Sequence, residues 1–349
     1  MTKADTRSET SALRATWTAG RMHARRYRLL SRALRKRRQI RPVTDRTAQI
    51  RPADILCFST VRNEATRLPF FLDYHRAQGV RHFLMVDNDS TDETRDYLAG
   101  QPDVSLWHTA YSYRLSRFGM DWLTWLQFRH GHGHWCLTLD ADELLVYPHH
   151  DSRSLQDLTG WLDSRRTRAF GAIMLDLYPK GRLGAQNYRP GQNPLEVLRW
   201  FDEGNIFYKY QPNLQNLLVR GGVRRRVFFH SAPERSPTLS KTPLVRWHRR
   251  YVYVSSTHSV LPRWLNHVRG DIAGDPTSGV ILHTKFLPEI VGKSRIEKRR
   301  REHFANSILY NSYYDGLMDD PVLWGPQSCE YEDWQQLERL GLLSRGGWM

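Results

Sequence analysis

Between positions 54 and 140, short apolar runs alternate with segments in which apolar residues recur at helical spacing. The four runs, each long enough for a buried strand, are 54–60, 81–86, 104–107 and 135–139. The helical segments begin near Leu68, where Pro69 suits a first turn, and at Met120. Gly79 is placed to end the first of these helices. This alternation of strand and helix predicts an open α/β sheet with parallel strands.

Polar residues gather directly after three of the four predicted strands. The clusters are Arg62-Asn63-Glu64, Asp87 to Asp92, and Asp140-Ala141-Asp142-Glu143. Ligands of such sheets bind at the carboxyl ends of the strands, so we expect the three clusters to form one binding site. Within the second cluster, Ser90 and Glu93 have the spacing of a capping box for the next helix.

Asp140 and Asp142 occupy alternate positions at the end of an apolar strand. Carboxylates in such a place are costly to bury unless they are paired or bound to a metal ion. Mg²⁺ and Mn²⁺ prefer oxygen ligands and can bridge carboxylates to phosphates. The sequence therefore predicts a Mg²⁺ or Mn²⁺ site at these residues. The alternative is that they cap the following segment in contact with solvent.

The loop from Asp87 to Asp92 could bind the base or ribose of a nucleotide, or it could simply form Asx-turns and a helix cap. The chain contains neither G-x-G-x-x-G nor G-x-x-x-x-G-K-[ST], so a dinucleotide fold or a P-loop is not predicted. His130, His132 and His134 alternate in a way that could hold zinc, but the flanking glycines favour a loop.

The formal net charge of +16 is concentrated near the N-terminus. Residues 1–50 hold 14 Lys or Arg and 3 Asp or Glu, whereas the remaining residues hold 38 and 33. The basic segment is compatible with a helix on an anionic membrane surface, a mitochondrial presequence, or a solvated and partly disordered arm. Because the rest of the chain is nearly balanced in charge, we expect no nucleic-acid partner.

From other features of the composition we expect a cytoplasmic, reducing compartment. Three scattered cysteines are too few for a disulfide framework. No stretch approaches the roughly 20 apolar residues that a membrane-spanning helix needs. The first residues lack the apolar core of a secretory signal.

Three ordered motifs resemble those of family 2 glycosyltransferases, which have the fold called GT-A. The motifs are Val61-Arg-Asn-Glu64, Val86-Asp-Asn-Asp-Ser-Thr-Asp92 and Leu139-Asp-Ala-Asp-Glu143. The resemblance is closest to the bacterial family 2-like branch, in which the aspartate motif reads D-A-D-E and no membrane helices follow. It extends to segments 241–247, 255–258 and 281–286.

The resemblance implies a GT-A type open mixed sheet. Residues 52–150 would form a Rossmann-like half that binds the nucleotide-sugar. Residues 151–349 would form the acceptor-binding half with C-terminal helices, and residues 1–51 would be a basic arm, partly disordered or helical.

The resemblance also implies roles for individual residues. The donor-binding residues would be Arg62, Asn63, Glu64, Asp87, Asn88, Asp89, Asp140, Ala141 and Lys285, with Asp87 at the base or ribose and Lys285 at a phosphate. The ligands of Mn²⁺ or Mg²⁺ would be Asp140, Asp142 and His283, although His283 could equally be a core histidine. Asn88-Asp89 replaces the Asp-Gly that is usual in the family.

The implied reaction is metal-dependent transfer of a sugar from a nucleotide-sugar to an acceptor hydroxyl, with inversion. A carboxylate would take the proton of that hydroxyl. Asp202 and Glu203 are the candidates for this base, and Glu234 competes with them. The acceptor would be a carbohydrate or a lipid-linked sugar of the cell surface, and the basic arm could contact an anionic membrane.

Two other functions remain open at this point. The chain could be a non-catalytic protein that binds nucleic acid or an anionic surface through its basic segment. It could also be a nucleotidyltransferase, which can share the sheet and the paired carboxylates but would release pyrophosphate.

Overall fold

The computed structural model describes residues 3–268, 276–300 and 311–349, with side chains described from residue 16 onward. The helices are α1 (Lys3–Lys36), α2 (Leu68–Ala77), α3 (Thr94–Ala99), α4 (Met120–Leu126), α5 (Leu155–Ser164), α6 (Glu289–Arg300), α7 (Asn311–Met318) and α8 (Trp334–Arg339). The first strands are β1 (Arg41–Thr44), β2 (Ile55–Val61), β3 (Val80–Asp87), β4 (Val104–His108), β5 (Trp135–Thr138), β6 (Glu143–Val146) and β7 (Ala169–Asp176). The later strands are β8 (Trp200–Asp202), β9 (Phe207–Gln211), β10 (Asn216–Arg220), β11 (Ser240–Arg246), β12 (Val252–Tyr253), β13 (Val260–Leu261), β14 (Ser278–His283) and β15 (Ser328–Glu330).

Nine strands form one mixed sheet in the order β1-β4-β3-β2-β5-β11-β7-β14-β6. Strands β2, β3, β4 and β5 are parallel, and β7 and β14 run in the same direction as these four. Strands β1, β6 and β11 run the opposite way. The predicted α/β class is confirmed, and the four predicted strands correspond to β2, β3, β4 and β5.

Helices or loops cover both faces of the sheet, which explains why its central strands are apolar without alternation. In β2, Cys57 belongs to the core that includes Phe71 of α2 and Leu158 of α5. The neighbouring residues Leu56 and Phe58 point to the other face and pack in the cluster that contains α4.

Of the local sequence signals for helix ends, those for α2 agree with the structure and the one for α3 does not. Helix α2 begins at Leu68, and Gly79 follows it with a φ of 105°, as predicted. The capping box predicted at Ser90 and Glu93 is wrong. The Ser90 hydroxyl instead accepts from the backbone N–H of Asn63 at 3.0 Å, because the two loops pack against each other.

The basic N-terminal segment is part of the folded structure. Helix α1 packs Met22 and Leu29 in a cluster with residues of β12 and β13. Arg32 Nε donates to Asp121 of α4 at 2.6 Å, and β1 pairs with β4 at the edge of the sheet. None of the helices among the described residues combines the length and hydrophobicity needed to cross a membrane.

Helices α6, α7 and α8 cover the end of the sheet that contains β7, β14 and β6. A second core lies there, in which Leu144 and Leu282 belong to the same cluster as Tyr313 and Leu337. The short strands β8 and β15 pair with each other, and β9 pairs with β10 as a separate hairpin.

Candidate functional site

Six strands of the sheet point their carboxyl ends toward one edge, and β6 and β11 begin at that edge. The residues that the edge brings together are mostly ionisable. They include Asp87 at the end of β3, Asp140 after β5, Glu143 at the start of β6, Asp176 at the end of β7, Lys241 in β11 and His283 at the end of β14. The predicted meeting of polar strand ends therefore occurs, and it involves more strands than the first four.

Asp142, Glu143 and His283 form the centre of this edge. His283 lies opposite Glu143 in the antiparallel pair of β14 and β6. Its Nε2 is 3.2 Å from Asp142 Oδ2, and one ligand atom from each of the three residues lies within 4.8 Å of the others. Two carboxylates and an imidazole are a suitable ligand set for a divalent cation. Among the residues that the structure describes, this is the one group with metal-ligand geometry.

Asp176 holds the imidazole of His283 through the ring nitrogen that does not face Asp142. The two residues are paired in register between β7 and β14, and His283 Nδ1 donates to Asp176 Oδ1 at 2.5 Å. The other carboxylate oxygen of Asp176 accepts from Arg224 Nε at 2.7 Å. A hydrogen bond of this kind sets which nitrogen of a histidine is free to bind a ligand.

The charges at this centre stabilise one another. Burial alone would lower the pKa of His283, but Asp142 and Asp176 outweigh burial and raise that pKa. Burial alone would raise the pKa of Asp142, but His283 and Arg67 outweigh it and hold that pKa well below its usual range. Asp142 is therefore ionised, which is the state that a carboxylate needs to bind a metal ion.

Lys241 pairs with two further carboxylates of the site, those of Glu143 and Asp140. Its buried ammonium contacts Glu143 Oε1 and lies 3.5 Å from Asp140 Oδ2. Burial would lower the pKa of Lys241, but Glu143 and Asp140 outweigh it and raise that pKa. The side chain of Asp140 is 48% exposed, so Asp140 remains open to a ligand.

Arg67 and Lys285 bring positive charge to the same edge. Arg67 lies 3.9 Å from Asp142 and 3.4 Å from Glu64. Burial, together with Arg224 and Arg67, lowers the pKa of Lys285. No carboxylate of the described residues lies within 4.0 Å of the Lys285 ammonium, so this ammonium can bind a phosphate as a point charge.

The two loops that follow β2 and β3 hold each other in place. Arg62 donates to the carbonyl of Asn88 at 2.6 Å, and Asn63 Oδ1 accepts from the N–H of Thr91 at 2.8 Å. The buried Asn88 amide donates to the carbonyls of Thr109 and Tyr111. These predicted donor-binding residues therefore have clear structural partners, and their side chains shape the loops.

Asp87 and Asp89 differ in their access to a ligand. Asp87 is buried, with one oxygen accepting from Arg95 at 2.9 Å and the other from the N–H of Ser90 at 3.1 Å. Asp89 has a side chain that is 51% exposed and lies 3.7 Å from both Arg62 and His108. Asp89 is thus the more accessible carboxylate of this loop.

Two of the predicted catalytic bases, Asp202 and Glu203, lie at the end of β8 and directly after it. Asp202 is buried in β8, where its oxygens accept from Arg226 at 2.8 Å and from the Tyr178 hydroxyl at 2.5 Å. Both oxygens of this buried carboxylate are thus engaged by donors of the protein, and the side chain is not exposed to an acceptor hydroxyl. Glu203 is exposed, and Glu234 is exposed beside Arg235.

The sequence alone assigned no site role to four of these residues, which are Arg67, Asp176, Arg224 and Lys241. Asp176 ends an apolar run at 169–176, which is the same signal that drew attention to the other strand ends. Arg67 and Arg224 carry no such signal, because only tertiary packing directs them to carboxylates. The zinc alternative finds no support, since His130, His132 and His134 belong to no group of three ligands among the described residues.

A search against protein-family models and a search of curated protein sequences each give no match. Among solved structures, one similar chain is a proposed glucose-1-phosphate thymidylyltransferase from Bacillus anthracis in complex with a sucrose. The two are 6% identical, with 82% of this chain and 93% of that chain covered and a TM-score of 0.28. A similarity this low supports no statement about the fold or the function of this chain.

Proposed function

We propose that this protein is a metal-dependent glycosyltransferase, which moves a sugar from a nucleotide-sugar to an acceptor hydroxyl. The observation that carries the proposal is the group formed by Asp142, Glu143 and His283 at the carboxyl edge of a mixed α/β sheet. Basic side chains lie beside this group, as binding of a diphosphate would require. The reaction class comes from the resemblance of the motifs around Asn63, Asp87 and Asp142 to family 2-like glycosyltransferases.

The residues present fit Mn²⁺ or Mg²⁺, and the imidazole favours Mn²⁺. Asp142, Glu143 and His283 would hold the cation, with Asp140 as the nearby exposed carboxylate. When bound, the cation would neutralise negative charge on the leaving nucleoside diphosphate. Glu143 takes the position that the sequence had assigned to Asp140, because Glu143 lies directly opposite His283 in the sheet.

The remaining groups of the site bind and orient the substrates. Lys285 and Arg67 would attract the donor phosphates, and the exposed Asp89 would contact the nucleoside. Of the two predicted bases, Glu203 stays in the proposal because its carboxylate is exposed directly after β8. Glu203→Gln should then lower transfer to an acceptor without weakening donor binding.

The test is a panel of UDP-, GDP-, CMP- and dTDP-sugars, each incubated with Mn²⁺ or Mg²⁺ and analysed for released nucleotide. We expect metal-dependent release of a nucleoside phosphate from one donor class, and at least a hundredfold loss in Asp142→Asn. Asp319→Asn is the matched control because Asp319 is exposed on a different part of the chain. Release of pyrophosphate from a nucleoside triphosphate would instead identify a nucleotidyltransferase, and equal rates in Asp142→Asn would refute the metal assignment.

We further propose that α1 attaches the protein to an anionic membrane surface without crossing it, on the cytoplasmic side. The support is the charge of α1, since eight Lys or Arg and no Asp or Glu lie between Glu9 and the end of the helix at Lys36. Trp17, Tyr27 and Leu34 are exposed on the same helix and could enter the interfacial region. Such placement would bring the enzyme to lipid-linked acceptors.

A further inference from the structure

The β9–β10 hairpin, residues 207–220, exposes three large aromatic side chains on one short strand. The exposed fractions are 52% for Phe207, 53% for Tyr208 and 47% for Tyr210. In the described part of the chain, β9 pairs with β10 alone, so one of its edges is open. Residues 207–220 are called the aromatic hairpin below. An exposed aromatic surface of this kind usually marks a binding site.

The two faces of β9 are chemically different. Successive residues of a strand point to opposite sides, so Tyr208 and Tyr210 share one face while Phe207 and Lys209 share the other. Both tyrosines combine an apolar ring with a hydroxyl group. They can therefore contact a ligand that is apolar on one side and hydrogen-bonding at its rim.

The inner strand of the aromatic hairpin is joined to the candidate site. The N–H of Leu239 donates to the carbonyl of Val219 at 2.8 Å, and the N–H of Val219 donates to the Ser240 hydroxyl at 3.3 Å. The next residue, Lys241, contacts Glu143 in the centre of the site. The aromatic hairpin thus lies at the border of the site.

A second connection leads from the end of the aromatic hairpin. Arg224 donates to Asp176 at 2.7 Å, and Asp176 in turn holds His283. The adjacent Arg225 places its guanidinium 3.7 Å from the centre of the Phe207 ring. Two consecutive arginines therefore link the aromatic surface to the residue that supports the proposed metal ligand.

The charge of this region is positive. Residues 204–226 include five basic residues and no Asp or Glu. Two of the five are paired, Arg224 with Asp176 and Arg226 with Asp202. The other three have no carboxylate within 4.0 Å among the described residues. These three are Lys209, Arg220 and Arg225.

We infer that the aromatic hairpin binds an acidic saccharide, which would be the acceptor of the transfer reaction. A sugar ring has a C–H face that can stack on Tyr208 or Tyr210, and its hydroxyl groups can bond with their phenols. Carboxylate or phosphate groups on neighbouring sugar units would reach around the open edge of β9 and pair with Lys209 and Arg225, which lie on the Phe207 face. The aromatic hairpin borders the candidate site. This position, in addition to the exposed aromatic rings, favours the acceptor of the reaction as the bound molecule over an unrelated partner. This inference rests on the proposed transferase function.

The test compares the full-length protein with the double variant Tyr208→Ala and Tyr210→Ala on an array of acidic and neutral oligosaccharides. The array includes oligogalacturonate as an acidic probe and maltohexaose as a neutral probe. We expect the wild type to retain acidic oligosaccharides preferentially, and the double variant to bind them at least tenfold more weakly. The control variant Val43→Ala with Phe128→Ala removes two exposed apolar side chains elsewhere and should bind like the wild type.

A separate measurement distinguishes failure of this inference from failure of the proposed function. Release of nucleotide from the donor without acceptor should be the same in the wild type and the double variant, because this inference gives Tyr208 and Tyr210 a role toward the acceptor only. If the wild type releases no nucleotide from any donor, the proposed transferase function is contradicted, and the result does not bear on saccharide binding by the aromatic hairpin. The inference is overturned if the double variant binds acidic oligosaccharides normally, if neutral ones or none are bound, or if single-stranded RNA displaces the saccharide at lower concentration.

Discussion

At the residue scale, His283 gains its orientation from Asp176, which sequence reasoning did not identify. Both residues are buried at strand ends, and the bond between Nδ1 and Oδ1 leaves Nε2 directed at Asp142. Loss of such a supporting carboxylate typically lowers metal affinity by about 10- to 100-fold. Asp176 is therefore a positioning residue for the proposed metal ligand.

We predict that Asp176→Asn weakens Mn²⁺ binding by roughly tenfold or more. Electron paramagnetic resonance titration of free Mn²⁺ measures this directly, without reference to turnover. Asp202→Asn is a matched control, because Asp202 is also a buried strand residue paired with an arginine. Both variants should lose stability, since each removes the negative charge that faces a buried or largely buried arginine. Equal Mn²⁺ affinity in the two variants would remove the positioning role from Asp176.

The contrast between Asp87 and Asp89 leads to a second prediction at this scale. Asp87→Asn should lower the melting temperature, because it removes the charge that pairs with Arg95 in a buried position. Asp89→Asn should leave the melting temperature nearly unchanged and weaken nucleoside diphosphate binding. Calorimetry and thermal unfolding of both variants separate the two effects. The reverse pattern would return the nucleoside contact to Asp87.

At the scale of elements, helix α1 has one side that packs against the rest of the protein and one side that is exposed and basic. Its inner side packs Met22 and Leu29 against the body, so truncation would expose the apolar residues of β12 and β13. Its outer side exposes Arg21, Arg28 and Arg35. Charge reversal on the outer side is therefore a cleaner test of membrane attachment than deletion of the helix.

We predict that the triple variant Arg21→Glu, Arg28→Glu and Arg35→Glu loses binding to vesicles that contain anionic lipid. Each basic residue near such a surface contributes about 1 kcal/mol, so removal of three should weaken binding roughly 100-fold or more. Cosedimentation at low and high salt measures the effect, and binding should also fall with salt. Reversal of the exposed Arg165, Arg189 and Arg295 changes the net charge equally and is the control. Similar loss in both triple variants would mean that net charge, and not α1, directs the binding.

At the scale of the whole molecule, the buried His75 links stability to pH. It lies in α2, where its Nδ1 donates to the carbonyl of Phe71 at 2.9 Å. Burial lowers the pKa of His75 to about 4. In the unfolded chain its pKa is about 6.5, so between these values the unfolded state binds more protons and stability falls as pH falls.

We predict that the free energy of unfolding decreases between pH 6.5 and pH 4, with His75 contributing up to about 3 kcal/mol of that decrease. Urea unfolding at several pH values measures the slope. His75→Leu should flatten it, whereas His230→Leu, which removes an exposed histidine, should not. An unchanged slope in His75→Leu would show that His75 is protonated in the folded state at these pH values.

Much of the fold could be predicted because its central elements are encoded locally. Strands β2 to β5 and helices α2 and α4 lie where apolar periodicity placed them, since each element must bury a continuous apolar face. The capping box failed because Ser90 bonds to Asn63 in another loop, which no local pattern can express. The exposure of Asp89 and the burial of Asp87 also depend on how the loop after β2, which contains Asn63, packs against the loop after β3.

By itself, the sequence determined that polar groups end apolar strands, and hence that an α/β sheet carries ionisable residues along one edge. Only the tertiary structure decided which of these groups meet. Asp176 and His283 are separated by 107 positions along the chain, yet they are neighbours because β7 and β14 lie side by side. Glu143 likewise lies opposite His283 because β6 pairs with β14. Strand order is set by packing of the whole core, and local periodicity contains no information about it.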